Sequence, residues 1–293
     1  MLTYAGILKS SNKGICMKLF NVAIMLVVIG LSACSSAPEK VEIVGEVETL
    51  YNKGMDALEN GAYGESINAF EELERQHPYS GWATRAQMMI VYAYYRRESF
   101  DEAIASADRF IGAHPGHKDL PYMFYLKGLS FYNRISDVRR DQQFTEQALS
   151  TFTELTERYP ESEYTRDAKL KITLCHDHLA AKEMMVGRYY LRNARHLAAI
   201  NRFRTVIEEY QRTTQTPEAL YRLTEAYLSL GIEDEATQSA AVLGHNFPHS
   251  DWYEMAYALL KEKDLSIPSN VEDESWFGMI WQGIQESVTE QNN

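Results

Sequence analysis

The chain has 293 residues, 45% of them hydrophobic, with 29 basic against 41 acidic side chains and a formal net charge of −12. That balance argues against nucleic acid as a partner and against electrostatic docking on anionic lipid, both of which call for a basic surface. Nineteen tyrosines are a high count, and they fall mostly in stretches with helical patterning.

The amino end carries an apolar stretch over 19–31 that closes on Leu31-Ser32-Ala33-Cys34. It is too short to span a bilayer and the right length for a signal-peptide core. The alternative, a buried core helix, is opposed by the lack of polar periodicity and by the cysteine at its border. The small residues before Cys34 look like the lipobox of bacterial lipoproteins. Residues 1–33 then form a signal peptide, and cleavage leaves Cys34 as the first residue, carrying N-palmitoyl and S-diacylglycerol groups. In such lipoproteins an Asp after the cysteine favours the inner membrane, so Ser35 points to the outer membrane. Met17-Lys18 makes a more ordinary start than Met1, and residues 1–16 read either as an upstream extension or as a longer n-region with Lys9 and Lys13. From Cys34 onward 260 residues remain, enough for one elongated domain or two compact ones. They keep only Cys34 and Cys175, so no internal bridge forms and the fold must rest on its apolar core.

Residues 34–45 read as a lipidated linker, and between Glu46 and Lys263 the sequence repeats. Five segments end alike, at Pro78, Pro115, Pro160, Gln211 and Pro248. Twelve residues before these anchors stand Ser66, Ala103, Ala148, Ala199 and Ala236; eight before, Phe70, Ala107, Phe152, Phe203 and Ala240. Five before are Leu73, Phe110, Leu155, Val206 and Leu243, and eight after are Ala86, Met123, Ala168, Ala219 and Ala256. Small, apolar and apolar at steps of four and three make one helix face. A proline just past it ends that helix and opens the next. The pattern resembles the tetratricopeptide repeat, two antiparallel helices in about 34 residues. It predicts an all-α fold, a right-handed α-solenoid of about five such pairs, rather than an irregular helical bundle.

Anchor spacings of 37, 45, 51 and 37 put insertions in the third and fourth units. The third holds a polar loop over 133–143, and the helical pattern running over 170–190 predicts a long first helix in the fourth. Ser99-x-x-Glu102 reads as a capping box and Thr216-Pro217 as an N-cap followed by proline. The repeats divide into an N-terminal set over 46–160 and a C-terminal set with a cap helix over 161–263. Residues 264–293 are an acidic linker and an aromatic tail, in which Trp276, Ile280 and Ile284 could share a helical face. The tail reads either as a cap folded back on the repeats or as a partner-binding or membrane-interface segment, and the acidic flank from Glu272 to Glu274 counts against lipid.

No phosphate loop, nucleophile elbow or zincin helix occurs, so the chain reads as non-enzymatic. Cys175-His176-Asp177-His178 cannot converge on a metal, because His176 points away from Cys175 and His178 on a helix. It reads as a half-buried cysteine with solvated histidines, and no metal or other cofactor is expected. His77, His114 and His245 sit at repeat ends as capping groups near helix C-termini. What remains is binding. In stacked pairs the first helices line the inner face, and here they carry Trp82, Tyr92, Tyr94, Tyr95, Arg96, Arg97, Tyr122 and Tyr125. Tyr92 and Tyr95 cannot both share that face with Tyr94, so part of the set is structural.

Several ordered segments carry a more specific likeness: Ile90-Val-Tyr-Ala-Tyr-Tyr95, Asp108-Arg-Phe-Ile111, His114-Pro115, Tyr122-Met-Phe-Tyr-Leu-Lys-Gly128, Arg140-Asp141-Gln142, Arg158-Tyr-Pro160 and Ala199-Ile-Asn-Arg202-Phe203. Together with the lipobox and all five repeats, they resemble the BamD family of outer membrane protein assembly lipoproteins. The resemblance implies a lipid-anchored scaffold on the periplasmic face of the outer membrane, within the machine that folds β-barrel proteins. It implies that the C-terminal repeats dock on a POTRA domain of the central insertase, beside other lipoproteins of that machine. It further implies that the N-terminal repeats receive unfolded barrel precursors at their aromatic-ending C-termini. Tyr79, Trp82, Tyr94, Arg96 and Arg97 are the residues it assigns to substrate, and Arg202 the one it assigns to the insertase. The third-unit loop is shorter than in some relatives and the aromatic tail is not general to the family. The competing reading is a periplasmic repeat adaptor for cell-wall or division proteins.

Overall fold

A computed structural model describes residues 44–268; Cys34 and the 276–284 aromatic segment lie outside the described residues. The chain divides into two units at Thr49 and Leu50. Of the first, only residues 44–49 are described, the opening turn of a helix. The second holds the repeats.

The described residues form eleven α-helices and no strand. They are α1 (Val44–Glu59), α2 (Tyr63–Gln76), α3 (Gly81–Arg96), α4 (Phe100–Ala113), α5 (Leu120–Tyr132), α6 (Gln143–Arg158), α7 (Thr165–Arg192), α8 (His196–Glu209), α9 (Thr216–Leu230), α10 (Glu233–Asn246) and α11 (Asp251–Glu262). From α2 onward each helix packs on the next, with further contact between α3 and α5 and between α9 and α11. The fold is all-α, a right-handed α-solenoid of five tetratricopeptide-like pairs followed by α11. All twenty positions picked out by the anchor offsets are at most 1% exposed.

The pairs close through a size exchange. A Cβ on Gly54 or Gly128 would lie 2.5 Å from the ring of Phe70 or Phe152, and one on Gly187 closer still to the ring of Phe203. A phenylalanine of the second helix therefore enters a hole that only glycine leaves in the first. Gly54 and Gly187 stand sixteen residues before their phenylalanines, and Gly128, whose pair holds the loop insertion, twenty-four; where the second helix offers Ala107 or Ala240, the residue sixteen before it on the first helix is Val91 or Thr224, so bulk moves from one helix to its partner. At α11 the corresponding position, thirteen residues past the anchor, is the exposed Lys261. A charged residue there gives the array a polar end.

The turns inside four pairs share a residue in the left-handed region two positions before the second helix. Gly61 and Gly231 hold it at φ 74°, Glu98 at 63° and Ala194 at 54°. The helix caps differ from the sequence reading at two starts. Ser99 is the N-cap of α4, but its side chain makes no cap bond; with ψ at 69° it departs from the extended geometry that aims a hydroxyl at the first turn. Thr216 is the first residue of α9 rather than its cap, and its hydroxyl donates to the carbonyls of Tyr210 and Gln211 in the preceding turn. The hydroxyls that do cap stand two residues past an anchor: Ser80 accepts from Ala83 N–H at 3.0 Å and Ser250 from Trp252 N–H at 3.2 Å.

The insertions are absorbed differently. The third unit's extra residues form the loop between α5 and α6. The fourth unit's lengthen α7 to 28 residues. Its spacing exceeds 37 by fourteen residues, about four turns, so the helix returns to the same face. Ala168 and Cys175 belong to the core of the third pair, while Ala180 and Met184 belong to the C-terminal core. One helix is thus shared between two packed halves.

Two substitutions test this packing by chemical denaturation. Phe152→Ala should cost about 3–5 kcal/mol, as for other fully buried aromatics. Gly187→Ala should cost about 1–3 kcal/mol through overpacking, and Phe203→Leu in the same chain should recover part of the loss.

Candidate functional site

Three first helices of successive pairs place tyrosines one turn apart on a shared face. Tyr92 and Tyr95 come from α3 and Tyr122 and Tyr125 from α5, while Tyr164 caps α7. The Tyr164 ring stands 5.3 Å from that of Tyr122 and stacks on that of Tyr125 at 5.1 Å. Tyr125 donates its hydroxyl to Asp167 at 2.8 Å, and Asn133 donates to the Tyr95 hydroxyl at 3.2 Å. At the open end of this ladder Arg96 donates to the Tyr92 hydroxyl at 2.6 Å and lies 5.6 Å over the rings of both Tyr63 and Tyr92. Burial, followed by the neighbouring phenols Tyr92, Tyr164 and Tyr95, holds the Tyr122 hydroxyl well above its ordinary pKa. Burial and the Asp167 carboxylate do the same for Tyr125. The face therefore offers neutral, amphipathic rings with one exposed guanidinium beside them.

The five residues assigned to substrate do not form one site. Tyr79 is fully exposed on the turn before α3. Trp82 sits at the start of α3, packed at 4.9 Å on Tyr51, with Arg85 over its ring at 5.1 Å. Tyr94 leaves the face that Tyr92 and Tyr95 share and turns towards α2 and α4, where its hydroxyl lies 3.4 Å from Glu71. Burial first, then Glu71 and Glu102, raise its pKa. Arg97 is the C-cap of α3 and reaches back over Gly64. Trp82 and Arg96 are separated by fourteen residues of helix, about 21 Å. Of the five, Arg96 joins the ladder. Tyr164, Tyr63, Asp167 and Asn133 complete it without having been singled out. One signal was available: Tyr164 follows Pro160 by four residues, as Trp82 follows Pro78 and Trp252 follows Pro248.

In the C-terminal half, Arg202 stands on the second helix α8 with its guanidinium 3.0 Å from Glu183 of α7, nearly half exposed. The first helices there carry a different network. Arg188 pairs with Glu218 at 2.8 Å, and Arg222 meets Glu218 at 3.3 Å and Glu225 at 2.8 Å. Arg222 also lies over the rings of Tyr221 and Trp252, which pack at 5.4 Å.

The cysteine–histidine run departs from its reading. Cys175 is fully buried in the third pair's core, and burial pushes its thiol up to about 11. His176 and His178 are half-buried rather than solvated, each with one enclosed ring nitrogen lacking a partner among the described residues. Among the described residues no three His, Cys, Asp or Glu side chains gather to hold a metal ion. His77 and His114 do end α2 and α4, but through their backbone N–H groups, and the His114 ring bonds Gln87 at 2.8 Å. His245 lies inside α10, whose C-cap is Phe247. Among the described residues no helix is long and apolar enough to cross a membrane.

Stacked helix pairs with an aromatic ladder on their first helices define a helical-repeat protein of the tetratricopeptide type. Residues 45–243 match the family described as outer membrane lipoprotein YfiO. The outer membrane protein assembly factor BamD of Caulobacter vibrioides is 47% identical over 247 residues, covering 83% of this chain and 81% of its own. The BamD of Rickettsia prowazekii is 42% identical, covering 84% and 98%, and that of Neisseria meningitidis serogroup A is 34% identical, covering 78% and 91%. A thermophilic tetratricopeptide protein of Thermus thermophilus overlays loosely, at TM-score 0.33 and 17% identity, covering 73% and 99%. The chain belongs to the BamD family of outer membrane protein assembly factors.

The buried phenols set an alkaline limit. Tyr122 and Tyr125 keep their protons in the fold above the ordinary value near 10, so the unfolded chain loses protons first as pH rises. Their contribution is complete below about pH 10 and is lost above it. The melting temperature should fall between about pH 10 and 11, and less steeply in Tyr122→Phe.

Proposed function

We propose that this chain is a non-catalytic scaffold of the outer-membrane β-barrel assembly machinery, held on the periplasmic face by lipid on Cys34. In this reading the N-terminal pairs receive unfolded barrel precursors, and the C-terminal pairs dock a POTRA domain of the insertase. The observation that carries the substrate half is the ladder from Tyr92 to Tyr164 with Arg96 at its end. An extended peptide ending in an aromatic residue presents a ring and a carboxylate, which suit stacked phenols and a guanidinium. Arg96 and its tyrosines are the substrate residues of this proposal, with Tyr79 and Trp82 at the far end of α3 placed to meet the upstream part of the same peptide. Arg202 suits the insertase contact because its guanidinium is still half open while paired with Glu183. Membership of the BamD family supports the assembly role.

Two measurements test the reading. Arg96→Glu should weaken binding of a synthetic peptide with an aromatic C-terminus by at least about tenfold, leaving helicity and melting unchanged. A parallel loss of helicity would make Arg96 structural. A tagged chain captured from its own membranes in mild detergent should bring a POTRA-bearing barrel protein in near-equal amount, whereas cell-wall enzymes in its place would overturn the proposal.

A further inference from the structure

The fourteen residues inserted in the fourth unit match the length of α8, and they leave one side of α7 bare. In the second half of α7, Ala180, Met184 and Gly187 lie on one arc and are buried under α8, with the Phe203 ring against Gly187. Fourteen residues earlier, about four turns, the same arc carries Arg166, Leu170 and Thr173, and all three are exposed. Leu174 borders them; Leu170 is 60% and Leu174 48% exposed, while α6 covers the opposite side of α7 at Ala168 and Cys175. The first half of α7 thus offers the seat of a second helix without the helix. The turn from α8 to α9 closes one end of the seat, across a pocket of about 290 Å³ between Ile172, Thr173 and His176 and the turn residues Tyr210 and Gln211. Asp177 fixes that turn by accepting from the N–H of Thr214 at 3.0 Å.

Three features select the occupant. The covered half of the same helix takes a helix on this arc, so a helix is the matching shape. Thr173 stands in the place of Gly187, and where a first helix carries Val91 or Thr224 instead of glycine, its second helix offers alanine; a small residue therefore belongs over Thr173. The charged side chains at the open end are cationic. Arg166 and Lys169, the latter one turn before Thr173, are exposed and pair with no carboxylate among the described residues, in a chain whose formal net charge is −12. The carboxylates of the seat lie at its closed end, where Asp177 is engaged by Thr214 and Glu209 borders the pocket. Exposed leucines one turn apart beside unpaired cations suit an apolar helix stripe flanked by acidic residues.

We propose that the bare arc of α7 is a docking seat for an amphipathic, acidic helix of a partner protein. Its apolar stripe lies on Leu170 and Leu174, a small residue lies over Thr173, and its carboxylates meet Arg166 and Lys169. From Arg166 to Thr173 the seat runs about 12 Å, so two to three turns of helix fill it. The seat stands on α7 alone and is independent of the roles assigned to the ladder and to Arg202.

The test follows the methyl signals of Leu170 and Leu174 by NMR in the whole, leucine-labelled chain in mild detergent. The probe is a stapled alanine-based helix with two leucines four residues apart and glutamates beside them. It should shift both signals saturably, and the same peptide with lysines for the glutamates should bind at least about tenfold more weakly. Arg166→Glu with Lys169→Glu should fold, melt as the parent does and invert that preference. Lys169→Glu alone, expected to weaken the glutamate peptide, serves if the double variant fails to fold. In the cell's own membranes, Leu174→p-benzoylphenylalanine should cross-link to a protein segment that maps to an amphipathic helix with the same small, apolar and acidic pattern. No saturable shift, an equal response to both peptides, or a preference unchanged in a folded variant would each overturn the proposal. So would cross-links to lipid, to a second copy of this chain, or to its own residues 269–293.

Discussion

The array depends on the contact between a phenylalanine of the second helix and a glycine of the first. Phe70, Phe152 and Phe203 are each fully buried, and each would collide with a Cβ at the position opposite. Removing one carbon lets two helix backbones approach closely enough for a large ring to fill the gap, which combines maximal apolar burial with short interaxial distance. The second and fifth pairs reach a similar fit by the opposite exchange, with the larger residue on the first helix. Because the exchange is reciprocal, neither side of a pair can change alone.

From that contact follows the placement of α7. Its extra residues amount to about four turns, so Gly187 still faces Phe203 while Ala168 keeps its place against the third pair. An insertion two residues shorter would rotate the second half of the helix by about 200° and carry Gly187 away from the ring. The extra length moves the turn after α8 across the middle of α7, and the pocket around His176 and Gln211 is a consequence.

On the inner face the tyrosines hold one another. The Tyr164 ring packs against two neighbours from α5, and the Tyr125 hydroxyl is bonded to Asp167, so the surface is ordered by its own contacts. A recognition surface whose rings are already fixed loses little conformational entropy on binding. The same burial that fixes the rings keeps their hydroxyls protonated, which leaves Arg96 as the cation at one end of the ladder and the Asp167 carboxylate at the other. In the C-terminal half the corresponding helices use carboxylates and guanidiniums instead, in the network of Arg188, Glu218, Arg222 and Glu225. The two halves thus present different chemistry on equivalent helices.

The repeat, its core and its length were legible in the sequence because each is local. A helix face recurs every three or four residues, and offsets from a proline locate it without knowledge of what it packs on; every position so located is buried. The long first helix of the fourth unit and the loop of the third were legible for the same reason. Which side chains meet across helices was not. Helix geometry already separates Tyr94 from Tyr92 and Tyr95, but only the packing of α3 against α2, α4 and α5 decides which of the two sides carries the ladder. Tyr164 and Asp167 reach Tyr125 because one pair stacks on the next, and Ser99 loses its capping bond to a left-handed turn that no residue type at Glu98 announces. Periodicity along a helix is set by backbone geometry and is written in the sequence, whereas alignment between helices is set by turns and by the fit of rings into holes, and only the tertiary structure decides it.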